Sequence, residues 1–293
     1  MCDELTEKDN EAFFQQQGKM TRRQFGSLAA GMSLAAMVLP PVANAQAVTE
    51  ADVEIKTPDG TADCYFVHPG SGKHPAVLVW PDILGLRPAF RMMGKRLAES
   101  GYAVLVVNPF YRSAKSPVIS EGASFSDPDI RNKVLPMARA LNAETHFTDA
   151  KAFVGWLDQQ GAVDTSKKIG TTGYCMGGPM VMRTAAAVPD RVGGAATFHG
   201  GGLVTDSESS PHLLIPQMKA SFLIAVAAND DEREPEAKNV LRETFAKNNL
   251  DAEIEVYEGA MHGWCPPDSR VYKEDSAEKA WSRLLVLFDK ALA

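Results

Sequence analysis

The chain has few cysteines, no excess of basic residues and no long hydrophobic run, and each shortage removes a class of function. Four cysteines among 293 residues, at positions 2, 64, 175 and 265, form neither a Cys-x-x-Cys pair nor a metal-ligand spacing. That argues against a cysteine metal site and a dithiol redox centre. A formal net charge of -7 without a basic stripe leaves no footprint for nucleic acid. No stretch reaches the roughly 20 apolar residues that span a bilayer. No internal repeat is evident, and no metal or organic cofactor is called for. With 45% hydrophobic residues the chain can bury a full core, and one compact catalytic domain suffices.

The first residues read as an address. Thr21-Arg22-Arg23-Gln24-Phe25 introduces the apolar stretch Leu28 to Leu39, followed by Pro40-Pro41-Val42-Ala43-Asn44-Ala45. This is similar to a bacterial twin-arginine signal, with small residues for a signal peptidase and cleavage expected before Gln46. The expected division is therefore 1–45 as a cleaved leader and 46–293 as the catalytic domain. Its partners would be the twin-arginine export machinery and a small-molecule substrate, without stable membrane insertion after cleavage, and the mature protein would be a periplasmic monomer or homodimer. Cys2 would leave with the leader. A Cys64–Cys265 bridge stays open in that oxidising compartment, with Cys175 outside it.

Beyond the leader, strand and helix patterns alternate. Glu50–Lys56 and Cys64–His68 read as two strands around the Asp59-Gly60 turn, an antiparallel edge. Pro75–Trp80 and Ala103–Val107 are buried-strand candidates with a helix at Phe90–Ser100 between them, a βαβ unit. Pro109–Ser126 reads as a loop, and helices fall between Ile130 and Gln160. Later strands are predicted near Thr172, at Ala195–Phe198, Ser221–Val226 and Ala252–Tyr257, with helices at Pro235–Asn248 and Asp275–Leu292. The expected fold is α/β: a doubly wound, mostly parallel sheet flanked by helices.

The chemistry concentrates at Gly173-Tyr174-Cys175-Met176-Gly177-Gly178. Glycines around a single nucleophile at a strand-to-helix turn have the form of a nucleophile elbow, with cysteine in the usual place of serine. A thiol there stands near a helix start, where a thiolate is favoured. Asp230 and Asp231 follow the strand ending at Val226, and His262 follows the one ending at Tyr257. Nucleophile, acid, histidine is the chain order of an α/β-hydrolase triad. Asp230 comes first beyond its strand and is the favoured orienting acid, with Asp231 in reserve. His199, at another strand end, fits a role in shaping the pocket. Trp80, Phe110, Tyr111, Phe198 and Trp264 could line an apolar pocket or simply fill the core.

Together Pro81-Asp82-Ile83-Leu84-Gly85-Leu86, Asn108-Pro109-Phe110-Tyr111-Arg112, the cysteine elbow, Ala227-Ala228-Asn229-Asp230 and Tyr257-Glu258-Gly259-Ala260-Met261-His262 resemble the dienelactone hydrolase family of α/β-hydrolases. The resemblance implies Cys175 as nucleophile, His262 as base, Asp230 as orienting acid and the Ile83 and Met176 N–H groups as oxyanion hole. The implied activity is esterase or lactonase chemistry on a small ester or lactone through a cysteine acyl-enzyme. Two departures stand out. Asp82 replaces a family glutamate that contacts the resting thiol, and Pro266 replaces an arginine that holds the substrate carboxylate, for which Arg131 or Arg139 are candidate substitutes. A peptidase or other acyl-transfer enzyme on the same fold, a thiol redox protein and a noncatalytic ligand-binding protein are the alternatives.

Overall fold

Ten consecutive residue pairs join Val48–Thr57 (β1) to Gly60–Pro69 (β2), antiparallel, across the turn at Asp59. The computed structural model describes residues 4–16 and 39–293; the twin-arginine motif and the apolar stretch up to residue 38 lie outside the described residues. β2 continues antiparallel onto Ala103–Val107 (β4), and from there Ala76–Trp80 (β3), Ile169–Tyr174 (β5), Val192–Phe198 (β6), Ser221–Ala227 (β7) and Ala252–Tyr257 (β8) add in parallel. The order is β1-β2-β4-β3-β5-β6-β7-β8. This is an α/β-hydrolase fold with a mixed, mostly parallel sheet.

Strands β3, β4 and β5 are buried at every position because helices cover both faces, so they read as unbroken apolar runs rather than alternations. Their side chains still divide with period two. Leu78 and Trp80 join a core with Phe153, Val181 and Leu241, whereas Val77 and Val79 join a second core with Phe90, Leu97, Leu284 and Phe288. The first face carries Ala143–Leu157 (α4), Gly177–Ala187 (α5) and Ala237–Lys247 (α7); the second carries Pro88–Glu99 (α2) and Glu274–Ala291 (α8). Pro128–Arg139 (α3) lies beside the site, where Val134 packs with Ile83 and Phe110.

Three features depart from the sequence reading. Glu4–Gln16 is a helix (α1). Pro211–Gln217 forms a 3₁₀ turn. Ala228–Arg233 is a short helix (α6), so Asp230 and Asp231 sit in a first helical turn rather than in a loop. Cys64 and Cys265 do not pair: each is buried, one in either core. Among the described residues, main-chain bonding to the sheet body begins where Gln46 N–H donates to Glu99 O at 3.0 Å and Gly70 N–H donates to Ala47 O at 2.9 Å. Among the described residues, no helix is long and apolar enough to cross a membrane.

Candidate functional site

The parallel strands end together, and the register decides which loops become neighbours. Trp80 pairs with Gly173, Tyr174 with Phe198, Phe198 with Ala225 and Ala227 with Tyr257. Chain leaving these C-terminal ends carries Asp82 and Ile83, Cys175, His199, Asp230 and His262 to one edge of the sheet. That is where open α/β sheets present ligand-binding crevices.

Cys175 sits at φ 54°, a left-handed backbone that a non-glycine residue adopts at a cost of about 1–3 kcal/mol. Its surroundings hold it there. Cys175 N–H donates to Phe198 O at 3.1 Å, and Gly178 N–H donates to Cys175 O at 3.0 Å. A side chain on Gly173 would meet Gly177 O at 2.4 Å, and one on Gly177 would meet Trp80 O at 2.4 Å. The strand-to-helix turn is therefore too tight for any Cβ at those two positions, and this is why the elbow is written with glycine.

His262 Nδ1 lies 2.6 Å from Asp230 Oδ2, and its backbone N–H donates to Asn229 Oδ1 at 2.8 Å. Ala228 N–H donates to Ala260 O at 2.9 Å, which ties α6 to the loop carrying the histidine. His262 Nε2 is buried and lacks a hydrogen bond of full geometry, while the Cys175 thiol is close enough to act on the ring as a charge and a weak partner. Burial pushes the His262 pKa down, but the charges of Asp230 and Cys175 and the hydrogen bonds to them outweigh it, raising it to about 10. Burial likewise works to raise the Asp230 pKa, and the charge and hydrogen bond of His262 reverse it, holding the carboxyl below its usual range. The group behaves as a coupled unit. Asp231 points elsewhere, its Oδ1 accepting from Lys238 Nζ at 2.6 Å.

Ile83 is buried in a small apolar cluster against which Met176 packs, so the two proposed N–H bearers are neighbours. Asp82 holds that loop: its Oδ1 accepts from Leu84 N–H at 2.9 Å. Both carboxylate oxygens of Asp82 also accept from Arg87, at 2.7 and 3.0 Å, and Arg87 extends to Asp268 at 2.6 and 2.9 Å. Burial raises the Asp82 pKa, Arg87 opposes it, and the nearby Cys175 charge adds to the rise. No pattern in the sequence marks Arg87, Asp268 or Asn229 as part of the site. Asn229 has only its place beside Asp230 in the Ala-Ala-Asn-Asp motif, whereas the Arg87–Asp268 pairing joins distant parts of the chain.

His199 is fully buried at φ 40°, its ring 5.1 Å from that of His262 and 5.0 Å from Trp264. Neither of its ring nitrogens has a hydrogen-bond partner. Burial, then the His262 charge, presses its pKa well below the ordinary value, so it stands beside the pair as a neutral ring. Trp264 stacks on Tyr257 behind it, with ring centroids 5.1 Å apart. Trp80 donates to Thr184 Oγ1 at 3.1 Å beneath α5, and Tyr111 is bonded to Thr57 and Asp149; these two aromatics support the core rather than a pocket. Arg131 donates to the Phe125 and Ser126 carbonyls at 3.1 and 2.7 Å, and Arg139 ends α3.

The sequence profile of the dienelactone hydrolase family matches residues 62–292. A carboxymethylenebutenolidase from Rhodococcus opacus is 25% identical over 244 residues, covering 81% of this chain and 90% of its own. Among solved structures, a dienelactone hydrolase-like promiscuous phosphotriesterase from metagenomic libraries superposes with a TM-score of 0.68 at 20% identity, over 84% of this chain and 100% of that one. The acylaminoacyl peptidase of Pyrococcus horikoshii gives 0.62 at 16% identity, over 85% of this chain and 42% of the peptidase. At such identities these two structural likenesses speak for the fold alone.

Proposed function

The chain belongs to the dienelactone hydrolase family, and on that premise we propose that it hydrolyses a small ester or lactone through an acyl-enzyme on Cys175. The observation that carries this reading is the left-handed Cys175 at the elbow beside an imidazole bonded to Asp230 at 2.6 Å.

In the proposed reaction His262 holds the thiol proton and Asp230 fixes the imidazole orientation. The sulfur attacks the carbonyl carbon, a C–S bond forms, and the carbonyl electron pair moves to oxygen. The Ile83 and Met176 N–H groups meet that oxyanion; a comparable donor elsewhere is worth roughly 3 kcal/mol in the transition state. The ester C–O bond then breaks, His262 gives its proton to the departing alkoxide, and water cleaves the thioester by the same path in reverse. We assign Asp82 to holding the Ile83 loop through its bonds to Leu84 and Arg87, so proton removal from the thiol falls to His262. Residues 1–45 are proposed as a twin-arginine leader delivering the enzyme to the periplasm.

The test is chemical trapping. An aryl ester mixed with the protein and quenched in acid should leave an acyl mass on the peptide containing Cys175, and Cys175→Ala should abolish turnover. Undiminished turnover in Cys175→Ala would refute the mechanism. A panel of lactones, aryl esters and blocked short peptides separates esterase from peptidase chemistry.

A further inference from the structure

Helix α1 is fastened to the two segments that carry Asp230 and His262. Arg233, at the end of α6, pairs with Asp9 and donates to Thr6 Oγ1 at 3.3 Å. Arg270, in the loop after His262, lies 3.7 Å from Glu7. The helix is seated, not merely laid on the surface: Thr6 is 1% exposed and Asn10 8%, with Asn10 Oδ1 buried and unpartnered. Glu7 is buried enough for its pKa to rise, against the opposing charges of Arg270, Arg131 and His262, so its carboxylate lies within electrical reach of the site histidine. With α1 in place, Cys175 is 1% exposed and His262 2%. A nucleophile enclosed to that degree meets a carbonyl from solution only when a covering element moves aside.

We propose that Glu4–Gln16 is a built-in plug, an acidic helix that covers the mouth of the Cys175–His262 site and keeps substrate out while it remains docked. The proposal rests on the hydrolase reading only for what is excluded; the docking of α1 on the segments that carry Asp230 and His262 is independent of it. The docking chemistry suits a removable part. Its ion pairs are partly exposed, individually weak and screened by salt, so the helix can leave without disturbing the sheet. The charges of Arg270, Arg131 and His262 offset part of the cost that burial and Glu11 place on the Glu7 carboxylate, and a cation in its position would be repelled by them. Cleavage before Gln46 would carry α1 away, so that the thiol opens when the leader is lost.

The experiment uses the full chain and measures iodoacetamide alkylation of each cysteine by peptide mapping, together with kcat/KM on an aryl ester. Glu7→Lys combined with Asp9→Lys reverses both docking charges; Thr6→Arg, a separate variant, places bulk where no space exists. Each should speed alkylation of Cys175 by about tenfold or more, because accessibility scales with the undocked fraction, while Cys64 and Cys265 stay at the wild-type rate. Ester kcat/KM should rise in parallel. Wild-type Cys175 reactivity in both variants overturns the plug, and so does acceleration shared by all three thiols, which reports unfolding. Faster Cys175 alkylation with no ester turnover in any form upholds the plug and removes the hydrolase reading. Ester turnover with unchanged alkylation does the opposite.

Discussion

Asp230 Oδ2 lies 2.6 Å from His262 Nδ1, whereas the adjacent Asp231 turns to Lys238 at the same distance. Two neighbouring carboxylates on one short helix thus have different partners. Asp230→Asn should lower kcat on an aryl ester by roughly 10³–10⁴, the size seen when a triad loses its orienting acid. Asp231→Asn should stay within about threefold of wild type, since an ion pair of this exposure is worth about 1 kcal/mol at most. Equal losses in the two variants would contradict this assignment.

The elbow glycines give a stability prediction. A methyl on Gly177 would stand 2.4 Å from Trp80 O, a main-chain atom that cannot rotate away. Gly177→Ala should cost roughly 1–3 kcal/mol by overpacking. Gly155, inside α4 with nothing within 4 Å of an added Cβ, is the contrast. Gly155→Ala should be neutral or stabilise by up to about 1 kcal/mol. Urea midpoints of the two variants against wild type check both signs.

Arg87 is a buried cation between two carboxylates. Arg87→Met would leave Asp82 without its counter-charge in a buried loop, a change that typically costs about 3–5 kcal/mol. Arg87→Lys, which keeps the charge but cannot bind both acids through a planar fork, should fall between. Thermal melting of the three proteins should rank them wild type, Lys, Met.

The His262 shift sets a pH dependence of stability. A folded-state pKa of about 10 against an ordinary 6.5 means that the folded protein holds a proton the unfolded chain releases between those values. The stabilisation is complete below pH 6.5 and drains away as pH rises through about 10. Asp230 supplies the lower limit, since its depressed pKa gives stability that is present above the usual 3.8 and lost as pH falls through its folded value. Denaturation midpoints taken in buffers from neutral to alkaline should fall more steeply for wild type than for His262→Gln. Parallel curves would show that the imidazole carries no such linkage.

The sequence made the local parts readable. An Asp-Gly pair closes a hairpin, apolar runs with turn residues at both ends mark buried strands, and glycines around Cys175 mark an elbow because no other residue fits against Trp80 O and Gly177 O. Chain order also brought Asp230 and His262 forward together. What stayed hidden depends on contacts between distant segments. Asp82 reads as an acid available to the thiol until Arg87 and Asp268 are seen closing around it. Asp230 and Asp231 are equivalent in composition and are separated only by the direction of α6, a helix too short to announce itself by periodicity. Aromatic residues that could equally line a pocket or fill a core were divided by the geometry: Trp80 went beneath α5.

The stitch at Gln46 bears on how the protein could be trimmed. Among the described residues, backbone pairing to the body starts at Gln46 and Ala47, through Glu99 and Gly70, and β1 begins at Val48. Severing the peptide bond after Ala45 would break none of those bonds, and the hairpin edge would keep its register with a short, already anchored new terminus. It would, however, withdraw Leu39 from the hollow it shares with Met93, Trp281 and Leu284. Such a cut would therefore trade a covered surface for an uncovered one between α2 and α8, lined by Met93, Trp281 and Leu284.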